Sequence, residues 1–308
     1  MRRTAGRQQG AILMVLAMIL FMAGSSYIIA VLGSNDVERL READAGQALL
    51  AAREAVIAFA VMHGDYYGAA GTGPGHLFCP DTNNNGQENT PCAGNALGRL
   101  PQSVTLPSGD VFRLSDYGVS FDQQIWYAVA PAFKRAPAGI LNTSINGNLT
   151  LDGQTGIAVV LMAPGAALLG QNRSSNTAGN YLESANTTLP DFTLGSTLAT
   201  DSFNDRVLAI RSSDIHTPVS SRVAERVRVA LAAYHTANGA YPPSQATFTA
   251  ALAVAGVMPA WYAANGWPGV TTYTQINANT ATVQFTGCAI TYTLTSAATA
   301  LARSANRC

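Results

Sequence analysis

Arg2-Arg-Thr-Ala-Gly-Arg-Gln-Gln-Gly-Ala-Ile-Leu-Met-Val-Leu16 decides how the rest of the chain is read. Arg2, Arg3 and Arg7 stand before Gly10, and hydrocarbon then begins abruptly at Ala11. No charged residue occurs from Ala11 to Leu32. As a helix this run spans about 33 Å, enough to cross a bilayer core of about 30 Å. The arginines should remain on the cytoplasmic side, so everything after Leu32 is expected outside. The same run reads as a plain membrane anchor. Read as a cleaved signal peptide, with Ala23 and Ser25 as the small-residue site, it is longer than an h-region needs.

The chain continues as a helix. Ser34 or Asn35 can cap a restart near Asp36. Val37 to Ala45 then has the charge pattern of a solvated helical stretch, and Ala48 to Met62 is nearly apolar apart from Arg53 and Glu54. That second part should be covered by a globular domain on most sides and should end by Gly64.

Composition sets the class of the remaining chain. The 308 residues carry a net charge of zero, 12% charged residues and 48% hydrophobic ones, so there is ample core for about two domains. No charge imbalance points to nucleic acid. The four cysteines, Cys79, Cys92, Cys288 and Cys308, all lie beyond the apolar run, which favours disulfides in an oxidising compartment. By proximity Cys79 is expected to bridge Cys92, and Cys288 to bridge Cys308, among three possible connectivities.

Between the first two cysteines, Asp81, Asn83 and Asn85 alternate and Gly86 comes next. This matches the first six positions of a calcium loop, in which oxygen ligands on alternate residues converge and the glycine permits a sharp turn. Glu88 or Asn89 is placed to complete the shell around Ca2+. The twelfth position is Cys92 rather than Glu, and the stretch reads equally as an Asn- and Gly-rich, disulfide-closed turn without metal.

Ile125–Ala130 and Gly156–Ala163 read as strands, the second apolar throughout and so central. Asn142 to Gly153 is polar and turn-rich, and Gly170 to Asp205 reads as a long surface excursion or linker. Thr217-Pro218 reads as a helix start, with Val219, Val223, Val227, Leu231 and Tyr234 after it at helical spacing. That helix should end at Asn238-Gly239. Val283–Thr286 and Ile290–Thr295 alternate as strands of an antiparallel sheet with one wet face.

The short basic leader ending in Gly10 resembles the type III signal of type IV pilins and type II secretion pseudopilins. The passage Val229 to Pro242, a helix and then Asn-Gly-Ala-Tyr-Pro, resembles a second hallmark of the pseudopilins. It also echoes the first helix at Ala51 to Tyr67. The resemblance implies cleavage between Gly10 and Ala11 by a prepilin peptidase, methylation of the new N-terminus, an inner-membrane stage, and other pilin or pseudopilin subunits as partners. It implies an α+β architecture: leader 1–10, an N-terminal helix 11–62 with a transmembrane half, a first head unit 63–205 and a second pilin-like unit 206–308. The fifth residue after the cut, usually Glu in that family, is Val15 here, which implies a minor or tip subunit.

Nothing in the sequence spells out a catalytic motif: there is no G-x-S-x-G, H-E-x-x-H or phosphate loop. His63, His76, His216 and His235 are scattered and read as helix-end or surface residues. Trp261, Tyr262 and Trp267 read as core. A structural protein is expected rather than an enzyme. The competing reading is a single-pass anchored periplasmic protein that binds a ligand or partner.

Overall fold

A computed structural model describes residues 42–68, 72–92, 96–114, 124–136, 139–194, 200, 202–297 and 301–308, together with Met18. The basic leader, the processing position Gly10–Ala11 and most of the apolar run lie outside the described residues. The chain divides into Met1–Gln47 and Ala48–Cys308, and the second of these holds every described strand.

Helix α1, Glu42–Tyr67, is long and apolar enough to cross a membrane by length and composition. It carries a buried stripe: Leu49, Ala52, Val56, Phe59, Ala60 and His63 recur at three- and four-residue intervals and are all under 5% exposed. Phe59 meets Phe78 and Phe112 edge-on, with ring centroids 5.2 and 5.4 Å apart. Leu50 and Met62 point outward. The helix runs one turn past Gly64 before stopping at Gly68.

The first sheet has the order β1–β4–β6–β5–β7, with β8 also paired to β6. Its strands are β1 (Ala96–Arg99), β4 (Trp126–Val129), β5 (Leu149–Leu151), β6 (Gln154–Ala163), β7 (Asp191–Phe192) and β8 (Arg206–Arg211). Strand β6 is central, as its apolar run requires, and Val159 to Met162 are fully buried. A separate hairpin joins β2 (Ser103–Thr105) to β3 (Val111–Arg113). Residues 206–211, expected in the second unit, instead extend the first sheet by pairing antiparallel with β6.

Helix α2, Ser212–Asn238, continues from β8 without a break. It begins five residues earlier than Thr217-Pro218 suggests. At its start Asp214 Oδ2 accepts the Arg211 N–H at 3.1 Å, and Pro218 falls inside the helix rather than at its first position. Pro218 removes one backbone donor. The Ser220 and Ser221 hydroxyls donate to Thr217 O just beyond it, at 3.0 and 3.2 Å. The helix stops at Gly239, whose φ of 74° a side chain would disfavour.

Three short helices come next, α3 (Gln245–Leu252), α4 (Ala260–Ala264) and α5 (Trp267–Val270). The second sheet is an antiparallel meander in the order β12–β11–β10–β9, made of β9 (Thr271–Asn277), β10 (Thr280–Phe285), β11 (Thr291–Thr295) and β12 (Ala302–Arg303). Its β9 edge is blocked by a side chain: Gln245 accepts the Tyr273 N–H at 2.7 Å and donates to Thr271 O at 3.2 Å. Trp261, Tyr262 and Trp267 are buried in the core here.

Two kinds of contact join the halves. Arg53 pairs with Asp214 at 3.3 Å, and Asp65 pairs with both Arg222 and Arg226. The pairs occur in the same order along both helices, so α1 and α2 run side by side in one direction. The polar segment 141–147 is not a surface turn. Asn142 and Thr143 are buried, Leu141 N donates to Asn265 Oδ1, and Thr143 donates to Thr286 O at 2.7 Å. Farther along, Gly147 N donates to the Ser212 hydroxyl at 2.8 Å.

Candidate functional site

The loop between Cys79 and Cys92 is closed by a disulfide, as is the tail between Cys288 and Cys308. The first loop is pinned on two sides. Asp81 and Arg99 exchange backbone hydrogen bonds at 2.9 and 2.7 Å, which lays the loop along β1. Gly98 makes this possible, because a Cβ there would sit 2.7 Å from Asp81 O. On the other side Cys92 N donates to Ala136 O, and Lys134 Nζ donates to Cys92 O at 2.7 Å.

Inside the loop the chain wraps around one carboxylate. Asp81 Oδ1 accepts the N–H groups of Asn83, Asn84 and Asn85 at 3.1, 2.6 and 3.3 Å. Its Oδ2 accepts the N–H of Gly86 at 2.7 Å. The same two-residue turn repeats downstream: Asn83 Oδ1 accepts from Asn85 N, and Asn85 Oδ1 accepts from Gln87 N. Alternating Asp and Asn therefore build consecutive turns. Gly86 sits at φ 79°, the turn conformation its position in the motif anticipates.

Glu88 is placed differently from a shell-completing ligand. Its carboxylate forms a two-pronged pair with Arg135 and accepts the Cys79 N–H at 3.0 Å. Asn89 turns its oxygen inward to Thr82 and Asn83. Among the described residues no group of three or more His, Cys, Asp or Glu is placed to hold a metal ion. Asn83 and Asn85 spend one carbonyl lone pair each on the turns and keep one.

Sequence reasoning missed the residues that brace this loop from afar. Arg99 stacks over Tyr181 at 4.4 Å and over Trp126 at 4.9 Å. Arg135 lies over the Tyr67 ring at 4.7 Å while holding Glu88. These partners are tens of residues apart, and no local pattern announces them. What the loop offers outward is Thr82, Asn83, Asn85 and Gln87. These exposed side chains are neutral and rich in amides.

The histidines are less exposed than the sequence suggests. His63, His76 and His216 are buried. His63 Nδ1 and His76 Nδ1 both lie against Gly73 O, at 3.1 and 2.9 Å, and His76 Nε2 lies 3.1 Å from Gly139 O. Burial holds His76 and His216 below the ordinary histidine pKa. His235 meets Asn279 Oδ1 at 2.9 Å.

A second feature lies on α3 and α4. A pocket of about 200 Å³ is lined by Phe248, Leu252, Met258, Tyr262 and Pro268. The Tyr262 hydroxyl lies 3.3 Å from Thr271 Oγ1, and burial pushes that phenol up to about 12.

No protein-family model, no curated protein and no solved structure matches this chain.

Proposed function

We propose that the chain is a pilin-like minor subunit of a type IV pilus or type II secretion pseudopilus. It is made as a single-pass inner-membrane precursor, cut between Gly10 and Ala11 and methylated by a prepilin peptidase, and drawn into a filament near its tip. The observation that carries this reading is the order of parts after Ser212. A 27-residue helix leads through Asn-Gly-Ala-Tyr-Pro to an antiparallel meander, and a disulfide ties the C-terminal tail back to it. That is the layout the resemblance implies for one pilin-like unit. The first half offers a second such unit, with α1 covering Phe78 and Phe112 and a sheet centred on β6. Both disulfides suit an oxidising compartment. Two units on one stem make a bulky head, which suits a tip better than a shaft, and Val15 in place of the usual Glu agrees with that position.

A second reading has one observation in its favour. The apolar pocket between α3 and α4 suits an anchored periplasmic protein that holds a partner and never polymerises. Shearing separates the two. Filaments sheared from cells should carry the protein in substoichiometric amount if it is a minor subunit. Retention of all of it in the membrane fraction, with filaments otherwise assembled, contradicts the subunit reading.

A further inference from the structure

The stretch between β6 and β8 is rich in Ser, Asn and Thr and reads as a surface linker, yet it contains a polar core. Glu183, Asn186 and Asp205 are all under 9% exposed. Glu183 and Asp205 clasp one another's backbone. Asp205 Oδ2 accepts the Glu183 N–H at 2.9 Å, and Glu183 Oε2 accepts the N–H groups of Asn204 and Asp205, both at 3.1 Å. Asn186 Nδ2 donates to the same Asp205 Oδ2 at 3.0 Å, and Gln171 Nε2 donates to Glu183 Oε1 at 2.6 Å. The clasp thereby fastens the Ser184–Thr187 turn to the start of β8.

A count of lone pairs shows where the clasp is incomplete. Glu183 Oε2 and Asp205 Oδ2 each already accept two hydrogen bonds, and Glu183 Oε1 accepts one. Asp205 Oδ1 is buried with no hydrogen-bond partner. Each carboxylate accepts the other residue's backbone N–H, so the two carboxyl groups are neighbours in one buried site. Two bare carboxylates in such a place repel without solvent to screen them. A positive charge placed between them would relieve that repulsion. Calcium takes six to eight oxygens, and two carboxylates with most of their lone pairs already used cannot supply that shell. A proton needs only Asp205 Oδ1 as its seat and the Glu183 carboxylate as its acceptor.

The geometry points to a shared-proton clasp: Asp205, protonated on Oδ1 and hydrogen-bonded to the Glu183 carboxylate, locks the 184–187 turn onto β8 and releases it when the proton leaves. Burial, first, and then the neighbouring Glu183 charge push Asp205 up to about 8, against the backbone and Asn186 donors that pull it down. Other charged side chains on these elements are Arg173, Asp191 and Arg206. Arg173 donates to Gln171 Oε1 at 3.0 Å, and Asp191 on β7 accepts from Thr150. Arg206 comes directly after Asp205 in the chain.

Linkage gives the sign of the pH effect. An acid whose folded pKa lies above its unfolded value binds more protons when folded, so its stabilisation is full below the unfolded pKa and is lost as pH rises towards the folded one. The clasp is therefore closed in mild acid and opens in mild alkali. Asp205→Asn mimics the protonated group. Its Oδ1 can keep both donors, and its amide can donate to Glu183 at every pH.

The test is hydrogen exchange over residues 180–194, corrected for the intrinsic pH dependence of exchange, on the full chain and on D205N. In the native chain protection should fall about tenfold or more between about pH 6 and about pH 9, while D205N stays level. D205A should be unprotected at both, which separates loss of the clasp from loss of the charge. Parallel behaviour of the native chain and D205N overturns the proposal. So does protection restored to the native chain at about pH 9 by calcium, since the charge between the carboxylates is then a metal and not a proton.

Discussion

Asp81 shows how much one side chain can organise. Its carboxylate takes four backbone N–H groups while 2% exposed, so it does for the loop what a bound ion does elsewhere. Removing it takes the acceptor from the Asn84 and Gly86 N–H groups, while those of Asn83 and Asn85 keep the Asn89 and Asn83 side-chain oxygens, and each group left unsatisfied costs about 1–3 kcal/mol. Asp81→Ala should therefore lower the stability of the folded chain by ~2 kcal/mol or more, read as a drop in the denaturant midpoint. Because the donors are already satisfied within the loop, chelating calcium should leave the midpoint of the native chain unchanged. The alternation of Asp81, Asn83 and Asn85 made the turn legible from sequence, since each side chain caps the N–H two residues on. The destination of Glu88 was not legible. Its partner Arg135 comes from another segment, and only tertiary structure brings the two together.

At the scale of elements the apolar and alternating runs were the most legible. Strands β6, β10 and β11 lie where uninterrupted or period-two hydrophobicity puts them, because the pleat buries every residue of a covered strand and alternate residues of a half-covered one. Helix α2 was legible in its middle and at its Gly239 end but not at its start. Pro218 is a local signal that the hydrogen bond from Arg211 N–H to the Asp214 carboxylate overrides. The excursion between β6 and β8 was least legible. Its Ser, Asn and Thr content suggests solvent, and its order comes from polar side chains that satisfy one another, which composition does not encode.

The C-terminal disulfide acts at this scale as well. Cys308 N donates to Thr217 Oγ1 at 3.2 Å, and the Ser220 hydroxyl lies 3.5 Å from Cys308 Sγ and 2.7 Å from the Tyr292 hydroxyl. The bridge ties the tail to α2 as well as to the loop after β10. Cys288→Ser with Cys308→Ser should cost about 2–5 kcal/mol, with the loss confined to constraint on residues 288–308. Thermal melts with and without reductant check it: reductant should lower the melting temperature of the native chain by more than that of the double variant, which keeps only the Cys79–Cys92 bridge to lose.

Among the described residues the chain is an α+β protein with a largely antiparallel six-stranded sheet, an antiparallel four-stranded sheet, a two-stranded hairpin, a long apolar helix near its N-terminus, and two disulfides. Helix α1 is long and apolar enough for a membrane, yet its buried stripe gives it a second use as the core helix of the head. That division leaves Ala11 to Leu32 as the stretch whose length and lack of charge suit a bilayer. Hydrogen bonds from the 141–147 segment to Asn265, Ser212 and Thr286, and ion pairs from α1 to α2, join the two parts of Ala48–Cys308.

The central claim turns on where the mature chain begins, and mass spectrometry of the N-terminal peptide, in cells with and without prepilin peptidase, measures that directly. The account predicts a peptide beginning at N-methylated Ala11 when the peptidase is present and an uncut leader when it is absent. A mature chain that begins at Met1 or after Ser25 in both strains would contradict it.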